Sequence, residues 1–335
     1  MGLTQVRPVA SADLDAVLEL ARKGGTGLTN LPPDRDALAK RIAQSEAAIS
    51  SPSAREAGAA VILVGDRQGE IAAISMIFPR VGAEWPFYSY RKTRQAAVSR
   101  AVGLSKEQYL LNLVNEFDGE VEVGGLFVDP ERRGEHLGRL MARSRYLFIV
   151  RHRSWFGRRV IAELRGYQDR CGRSPVWEAI GRHFYDMDFQ DADRTGSIHG
   201  NQFIADLGPR YPLYLSLLPV DARAALGRPH DDGTAARDML LAEGFRDEGF
   251  VDIFDGGPTL VAEIDSLRTV REARRCAIVA TGGAGAPMLV AAGEGGAFRA
   301  AVGGVEPVEK GVAIEPALAE VLRAEVGDEI CAVPA

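Results

Sequence analysis

One segment of this chain limits the possible folds more than any other: an apolar strand that runs through a glycine-containing loop into an amphipathic helix. The strand reads "EVEVGGLFV" (120–128) and the loop reads "DPERRGEHLG" (129–138). Leu137, Met141 and Ser144 then follow helical spacing. The first backbone N–H groups of such a helix have no partner within it, and the positive end of the helix dipole attracts anions. The loop is therefore either a solvated turn or a phosphate-binding element.

Four residues of this loop fit phosphate binding. Arg132 and Arg133 supply charge-assisted hydrogen-bond donors. Gly134 and Gly138 allow a pyrophosphate to approach the backbone closely. The loop alone does not decide the matter, because glycine-containing turns commonly bind nothing.

The composition sets limits on the class of protein. A length of 335 residues exceeds one ordinary core, so a second domain or an appendage is expected. The hydrophobic fraction of 46% is that of a globular protein, and the formal charge of −6 argues against nucleic acid or an anionic membrane as a partner. The three cysteines are widely separated and predict neither a metal site nor a disulfide framework. With no transmembrane run or signal peptide in the sequence, we expect a cytoplasmic protein.

Hydrophobic periodicity predicts a mixed α/β fold. A strand at "TQVRPV" precedes two helices and a hairpin over "AAVILVGDRQGEIAAISMIF". Residues 84–110 are polar and indicate a partly ordered loop with aromatic anchors. A strand over 158–166, a helix from Ser174 and a helix capped by Thr234 are expected further along.

Three consecutive regions are expected. Residues 1–190 would form a core with a mixed central sheet flanked by helices. Residues 191–265 would form a helical extension with closing strands. Residues 266–335 are rich in Gly, Ala and Val, and they predict a small β-rich C-terminal domain with one short helix near 316–323.

The order of strand, two helices and hairpin, followed by the strand–loop–helix, resembles the fold of GNAT acyltransferases. In that family the loop carries Gln or Arg, two residues, Gly, one residue, then Gly or Ala, and it binds the pyrophosphate of CoA. Counted from Arg133 to Gly138, the pattern places His136 where the middle glycine belongs. This departure bears directly on the affinity for CoA.

A more specific resemblance covers most of the chain. The segments "RPVASADLDAVLELARKGGTGLTNLPPD", "GLFVDPERR", "AELRGYQDRCGRSPVWEAIGRHFYDMDF", "GNQFIADLGPRYPLY" and "EGFRDEGFVDIFDGGPTL" are together similar to the arginine N-succinyltransferase family of arginine catabolism. They run in unbroken order from residue 6 to about residue 265. Beyond residue 270 the similarity is loose.

The resemblance implies an enzyme that transfers the succinyl group of succinyl-CoA to the α-amine of L-arginine, giving N2-succinyl-L-arginine and CoA. The amine would attack the thioester directly in a ternary complex, so no tightly bound cofactor and no metal are expected. It implies that Leu126 contacts the acyl-CoA through its backbone, beside a strand bulge predicted at Gly124 and Gly125. Arg133, Gly134 and Gly138 would bind the pyrophosphate.

The resemblance also implies that His230 donates the proton to the departing thiolate. It lies in "GRPHDDGTAARDML", a loop before a helix. Acidic residues are the candidate partners of a guanidinium, and Thr29 and Asn30 lie in a loop placed like an acceptor loop. The acidic candidates are Glu163, Asp186, Asp188, Asp252 and Asp255. Capping and turn formation account for these residues equally well.

Several alternatives stay open. The acceptor is either arginine or another amine such as ornithine, and the chain is either an enzyme or a non-catalytic acyl-CoA-binding subunit. The resemblance implies an oligomer, with identical subunits or with a similar partner subunit. The expected partners are otherwise small molecules, with no nucleic acid and no membrane.

Overall fold

The computed structural model describes residues 3–24, 30–192, 195, 202–283 and 285–335. In chain order the strands are β1 (Gln5–Pro8), β2 (Val61–Arg67), β3 (Glu70–Phe78), β4 (Ser89–Ser99), β5 (Leu104–Val114), β6 (Val121–Val128), β7 (Arg159–Glu163), β8 (Leu213–Tyr214), β9 (Arg246–Asp252), β10 (Pro258–Glu263), β11 (Arg274–Thr281), β12 (Ala286–Ala292), β13 (Arg299–Val308), β14 (Gly311–Ile314) and β15 (Glu329–Pro334). The helices are α1 (Leu14–Gly24), α2 (Arg35–Ser50), α3 (Pro52–Glu56), α4 (Leu137–Arg151), α5 (Arg182–Tyr185), α6 (Gln202–Leu207), α7 (Val220–Ala225), α8 (Thr234–Glu243), α9 (Arg268–Glu272) and α10 (Pro316–Leu322). The mixed α/β class is as predicted.

The chain divides into two compact units, and each is discontinuous in sequence. The first unit comprises Met1–Arg80, Val121–Arg158 and Glu263–Ala335, and the second comprises Val81–Glu120 and Arg159–Ala262. The predicted division of the chain into three consecutive regions, 1–190, 191–265 and 266–335, stays a prediction.

The first unit contains the predicted strand, helix pair and hairpin. Strand order is β1-β2-β3-β6, with antiparallel pairing throughout. Helices α1 and α2 form because their apolar residues repeat at helical spacing. Leu18 and Leu38 of these helices share one buried apolar cluster with Ile74 of β3. Helix α4 packs against β2, β3 and β6. The sheet therefore holds the start of α4 at the end of β6.

The C-terminal part of the first unit is a small closed barrel. Its strands pair in the order β12-β15-β11-β14-β13, and β12 also pairs with β13. Closure leaves no free sheet edge in this ring. Leu318 and Leu322 of α10 lie in its apolar core, as the predicted β-rich domain with one short helix requires. Strand β1 pairs with β13 at Val6 and Ala300.

The second unit is built on the strand order β7-β10-β9-β4-β5-β8. Its core surrounds the fully buried Trp177, which stacks on Tyr185 and Phe254. The prediction of a loop over residues 84–110 is wrong. Strands β4 and β5 form an antiparallel hairpin there, paired continuously from Ser89 with Val114 to Ser99 with Leu104. In the described part of the chain, no helix has the length and apolar character needed to cross a membrane.

Candidate active site

A bulge interrupts β6 at the two glycines, as predicted. Ile74 pairs with Phe127 and Met76 pairs with Gly124, so β6 has one more residue than β3 between these pairs. Gly125 has φ +55°, and a Cβ there would lie 2.9 Å from Cγ of Met76. A side chain at this position is disfavoured both by the backbone conformation and by the contact with Met76.

Leu126 lies inside this bulge. It falls between the paired positions Gly124 and Phe127, so β3 offers it no pairing residue. The carbonyl of Gly124 accepts a hydrogen bond from Nη1 of the buried Arg145 at 3.3 Å. The bulge thus turns the strand at Leu126, and Arg145 of α4 holds the carbonyl of Gly124 in place.

The loop after β6 begins with a short 3₁₀ turn, Pro130–Arg132. Asp129 stabilises this turn by accepting from the N–H of Glu131, and Nζ of Lys23 lies 2.6 Å from its carboxylate. Arg132 is paired with Glu70, so its charge is already engaged. Arg133 is exposed, and its guanidinium forms no ion pair or hydrogen bond with the described residues. Of the two predicted arginines, Arg133 is the one available to a ligand.

The end of the loop leaves the start of α4 open. Gly134 has φ +92° and open space around its α-carbon. His136 precedes the helix with φ +59° and contributes no side-chain cap. The amide of Leu140 bonds to the carbonyl of His136, and the first turn of the helix contains no acidic residue. The N–H groups before Leu140 are therefore free of side-chain caps and suited to an anion.

Gly138 lies in the first turn of α4. A Cβ built there would lie 3.8 Å from Cγ2 of Val128, which is ordinary van der Waals contact. The packing of the protein therefore does not demand a glycine at this position. A glycine here leaves the helix start accessible, which fits close approach of a ligand.

Sequence reasoning missed a buried carboxyl group beside the bulge. Glu122 is 9% exposed, and its Oε1 lies 3.1 Å from the position a Cβ of Gly124 would occupy. Nδ2 of Asn30 lies 3.7 Å from the same position. Burial raises the pKa of Glu122 to about 7. A carboxyl group with this pKa can both take up and release a proton near neutral pH. Thr29, the other predicted residue of that loop, lies outside the described residues.

His230 belongs to the second unit. Its backbone N–H donates to the carbonyl of Arg165 at 2.7 Å, and its Nδ1 accepts from the N–H of Asp232 at 3.3 Å. Oδ2 of Asp232 also lies 3.5 Å from Nδ1. A neutral ring that accepts the hydrogen bond from the N–H of Asp232 carries its proton on Nε2. The predicted cap is wrong: α8 begins at Thr234, whose hydroxyl donates to the carbonyl of Asp231 at 3.0 Å.

Asp255 holds the chain beside His230. Its buried carboxylate accepts from the N–H of Gly166 at 2.7 Å and from that of Gly257 at 2.9 Å. Gly166 in turn bridges to Pro229, the residue before His230. This makes Asp255 a structural support of the histidine loop, with both carboxylate oxygens engaged.

The other acidic candidates are engaged as well. Burial raises the pKa of Asp252 well above its ordinary value, and its Oδ1 accepts from the amides of Phe254 and Asp255. Glu163 accepts from the hydroxyl of Thr259. The remaining two lie at the surface, where Asp188 pairs with Arg182 and Asp186 ends α5 with φ +49°. These contacts give Asp252, Glu163 and Asp188 structural roles, and Asp186 ends its helix through its backbone conformation.

Comparison with known proteins places the whole chain in one family. Residues 4–269 match the family model described as arginine N-succinyltransferase beta subunit, and residues 269–334 match the model of its C-terminal domain. Arginine N-succinyltransferase subunit beta of Pseudomonas aeruginosa is 38% identical over 331 residues, which cover 98% of this chain and 97% of that protein. Arginine N-succinyltransferase of Yersinia pseudotuberculosis is 40% identical over 281 residues, which cover 83% of this chain and 79% of that protein.

A solved structure agrees over the full length. The structure of arginine/ornithine succinyltransferase subunit AI from Pseudomonas aeruginosa superposes with a TM-score of 0.88 at 30% identity. The match covers 100% of this chain and 99% of that one. The matching family models and this structure extend over the bulged strand, the glycine loop, the histidine loop and the barrel alike. The chain belongs to the arginine N-succinyltransferase family of acyltransferases.

Proposed function

We propose that this protein transfers the succinyl group of succinyl-CoA to the α-amine of L-arginine, giving N2-succinyl-L-arginine and CoA. The observation that carries this proposal is the full-length family match, including the C-terminal domain. The start of α4, which has no side-chain cap and lies after a bulged strand, supports it. L-Ornithine is a second candidate acceptor, because the solved relative with a TM-score of 0.88 is named for both amino acids.

The loop before α4 is proposed to bind the CoA pyrophosphate. Arg133 would supply a charge-assisted contact, while Gly134 and Gly138 keep the backbone accessible. The free N–H groups at the start of α4 would add hydrogen bonds and the positive end of the helix dipole. The pantetheine would then extend along β6, and the backbone of Leu126 in the bulge would contact the acyl-CoA.

Glu122 is proposed to accept the proton of the substrate ammonium. A protonated amine cannot attack a thioester, so the α-ammonium must first lose a proton. Glu122 lies beside Gly124 at the bulge, and a pKa of about 7 leaves a large fraction of it ionised at neutral pH. The free amine attacks the thioester carbonyl carbon, and the nitrogen of the tetrahedral intermediate releases its extra proton to solvent. The intermediate then collapses: the C–S bond breaks and the CoA thiolate leaves. Holding both substrates in place would provide much of the rate acceleration.

His230 is proposed to protonate the departing thiolate. The hydrogen bond from Asp232 to Nδ1 leaves the proton of the neutral ring on Nε2, where it can be donated. The backbone bond from His230 to Arg165 fixes the residue within its loop. Returning a proton to the thiolate prevents the reverse attack on the new amide.

Assembly and location are proposed on separate grounds. Two of them are named as subunits, and we propose that this chain also works as an oligomer, either of identical subunits or with a similar partner. Cys171, Cys276 and Cys331 are free thiols. Free thiols fit the reducing environment of the cytoplasm, which is the proposed compartment.

The test is an acceptor panel with a matched pair of histidine variants. Arginine, ornithine, lysine and putrescine are each combined with succinyl-CoA and with acetyl-CoA, and CoA release is measured. We expect turnover with succinyl-CoA and arginine, and a drop in kcat of about a hundredfold or more in His230→Ala with succinyl-CoA binding retained. His183→Ala, which removes an exposed histidine of the same unit, should leave kcat unchanged. Full turnover in His230→Ala would exclude the proton-donor role.

A further inference from the structure

An arginine lies on the inward side of α2 in the first unit. The buried residues of this helix are Leu38, Ile42, Ser45 and Ala48. Arg41 follows Leu38 and precedes Ser45 at helical spacing, so it falls on the same side of the helix as these residues. Apolar side chains are the norm on such a side. Long side chains point back towards the start of their helix, and Nη1 of Arg41 accordingly donates to the carbonyl of Asn30, in the loop before α2.

No carboxylate of the described residues neutralises Arg41. Arg7, another partly buried arginine of this unit, pairs with both Asp13 and Asp66. Arg41 forms no such ion pair with a described residue, and its one hydrogen bond there is to the neutral carbonyl of Asn30. Burial lowers the pKa of Arg41, with no opposing effect from a carboxylate. An unpaired charge is costly to bury, so this position favours a carboxylate that a ligand supplies.

The guanidinium of Arg41 is within reach of a ligand. Arg41 is half-buried, and none of its nitrogens is among the buried atoms that lack a hydrogen-bond partner. A guanidinium carries its N–H donors in a planar fork that matches the two oxygens of a carboxylate. The single bond to Asn30 leaves most of these donors for a ligand.

Asn30 links this arginine to the bulge of β6. Its carbonyl accepts from Arg41, and its Nδ2 lies 3.7 Å from the position that a Cβ of Gly124 would occupy. Oε1 of Glu122 and Cε2 of Phe78 border the same position at 3.1 and 3.5 Å. Glycine at 124 leaves this space open, beside the backbone that is proposed to contact the acyl-CoA. Arg41 is therefore one residue away from the proposed reacting centre.

We propose that Arg41 binds a carboxylate of a substrate beside the bulge and thereby determines specificity. The inference rests on the proposed function, which offers two such groups: the free carboxylate of the succinyl chain and the α-carboxylate of the amino acid. A short carbon chain joins each of them to a reacting atom, so either group can extend from the bulge towards α2. An acyl-CoA or an amine without this carboxylate would lose the pairing with Arg41.

Two pairs of ligands, each with and without a carboxylate, tell the two sources apart. Succinyl-CoA is compared with butyryl-CoA, whose acyl chain has the same number of carbons. L-Arginine is compared with agmatine, its decarboxylated form, in the presence of CoA. The Kd of each ligand is measured calorimetrically on full-length wild type and on Arg41→Met. We expect wild type to prefer the carboxylate-bearing ligand in at least one pair, and Arg41→Met to lose about tenfold or more in affinity for that ligand alone.

Matched variants separate this role from a structural one. Met is unbranched and apolar, so it suits the inward side of α2 and the fold should be retained. Arg41→Lys keeps the charge without the planar fork and should recover only part of the preference. The control Lys40→Met removes an exposed cation from the neighbouring position of the same helix and should leave every affinity unchanged.

Three results would refute the role of Arg41. They are a wild type without preference in either pair, unchanged preferences in Arg41→Met, and equal weakening of both members of a pair. Failure of the proposed function is a different result: wild type would prefer the carboxylate-bearing ligand but release no CoA in the acceptor panel.

Discussion

Replacing Glu122 by Gln should make the protein more stable at neutral and alkaline pH. The carboxyl is buried, and its pKa rises from 4.5 to about 7 on folding. Each tenfold change in proton affinity corresponds to about 1.4 kcal/mol. The pKa change therefore corresponds to about 3 kcal/mol of folding free energy, as an order of magnitude. Gln has nearly the same shape and carries no charge.

The sign follows from which state holds the proton. Below pH 4.5 the carboxyl is protonated in both the folded and the unfolded chain, and it imposes no penalty. As pH rises from 4.5 to about 7 the unfolded chain loses its proton first, so the wild type loses stability over this range. The advantage of Glu122→Gln should thus grow from near zero at acidic pH to about 3 kcal/mol at about pH 8.

Urea unfolding of both proteins between about pH 5 and pH 8 measures this difference, since groups common to both proteins cancel. Glu309→Gln, which removes an exposed carboxylate of the same unit, is the control and should show no such trend. A stability difference that does not change with pH would refute the assignment of a buried, proton-holding carboxyl. If Glu122 is also the proton acceptor, the stabilised variant should lose most of its kcat. Its pH–rate profile should also lack the rise in rate near pH 7 that ionisation of Glu122 gives the wild type.

Two further substitutions test the loops that carry the proposed site. His136→Gly removes the side chain from a left-handed position with φ +59°. It should therefore raise the free energy of unfolding, measured by denaturant titration, by about 1 kcal/mol. A loss of stability would show instead that the imidazole makes a stabilising contact. Asp255→Ala should leave the amides of Gly166 and Gly257 without an acceptor and cost about 3 kcal/mol. It should also lower kcat more than it raises the Kd for succinyl-CoA; a parallel fall in both affinity and kcat would point to general unfolding instead.

The sequence predicted those parts of the fold that depend on local pattern. The β6–loop–α4 unit was predictable because apolar residues change from strand to helical spacing across a glycine loop. The bulge was predictable because glycine inside an apolar strand weakens the strand and typically marks a bulge or a close backbone approach. The barrel region showed alternating small and apolar residues, which are typical of β structure.

The hairpin β4–β5 was not predictable from such patterns. Most of its length from Lys92 to Gln108 is exposed on both faces. Without a buried face there is no alternation of apolar and polar side chains, so the segment has the composition of a loop. Its strand character comes from the pairing of the two strands with each other and from the pairing of its base with β9 and β8.

Glu122 was missed for a related reason. In "EVEV" the glutamates alternate with valines, a pattern that predicts one solvent-exposed face. Glu120 has the expected polar environment and pairs with Arg159 at 2.8 Å. Glu122 is buried instead. Tertiary structure decides which side chains cover Glu122, two residues after Glu120. A single sequence does not show this.

The unfavourable features of this chain argue for function by where they occur. Left-handed residues other than glycine also occur at Gln68, Asp186 and Arg323, but these lie in a hairpin turn or at helix C-termini, where that conformation is ordinary. His136 has it before the first turn of a helix, where extended backbone is the norm. Within fifteen residues of it the chain also buries Glu122 and twists at Gly125. All three features lower stability, and they lie along one strand–loop–helix. The proposed binding and reaction of an acyl carrier at this site would account for all three together.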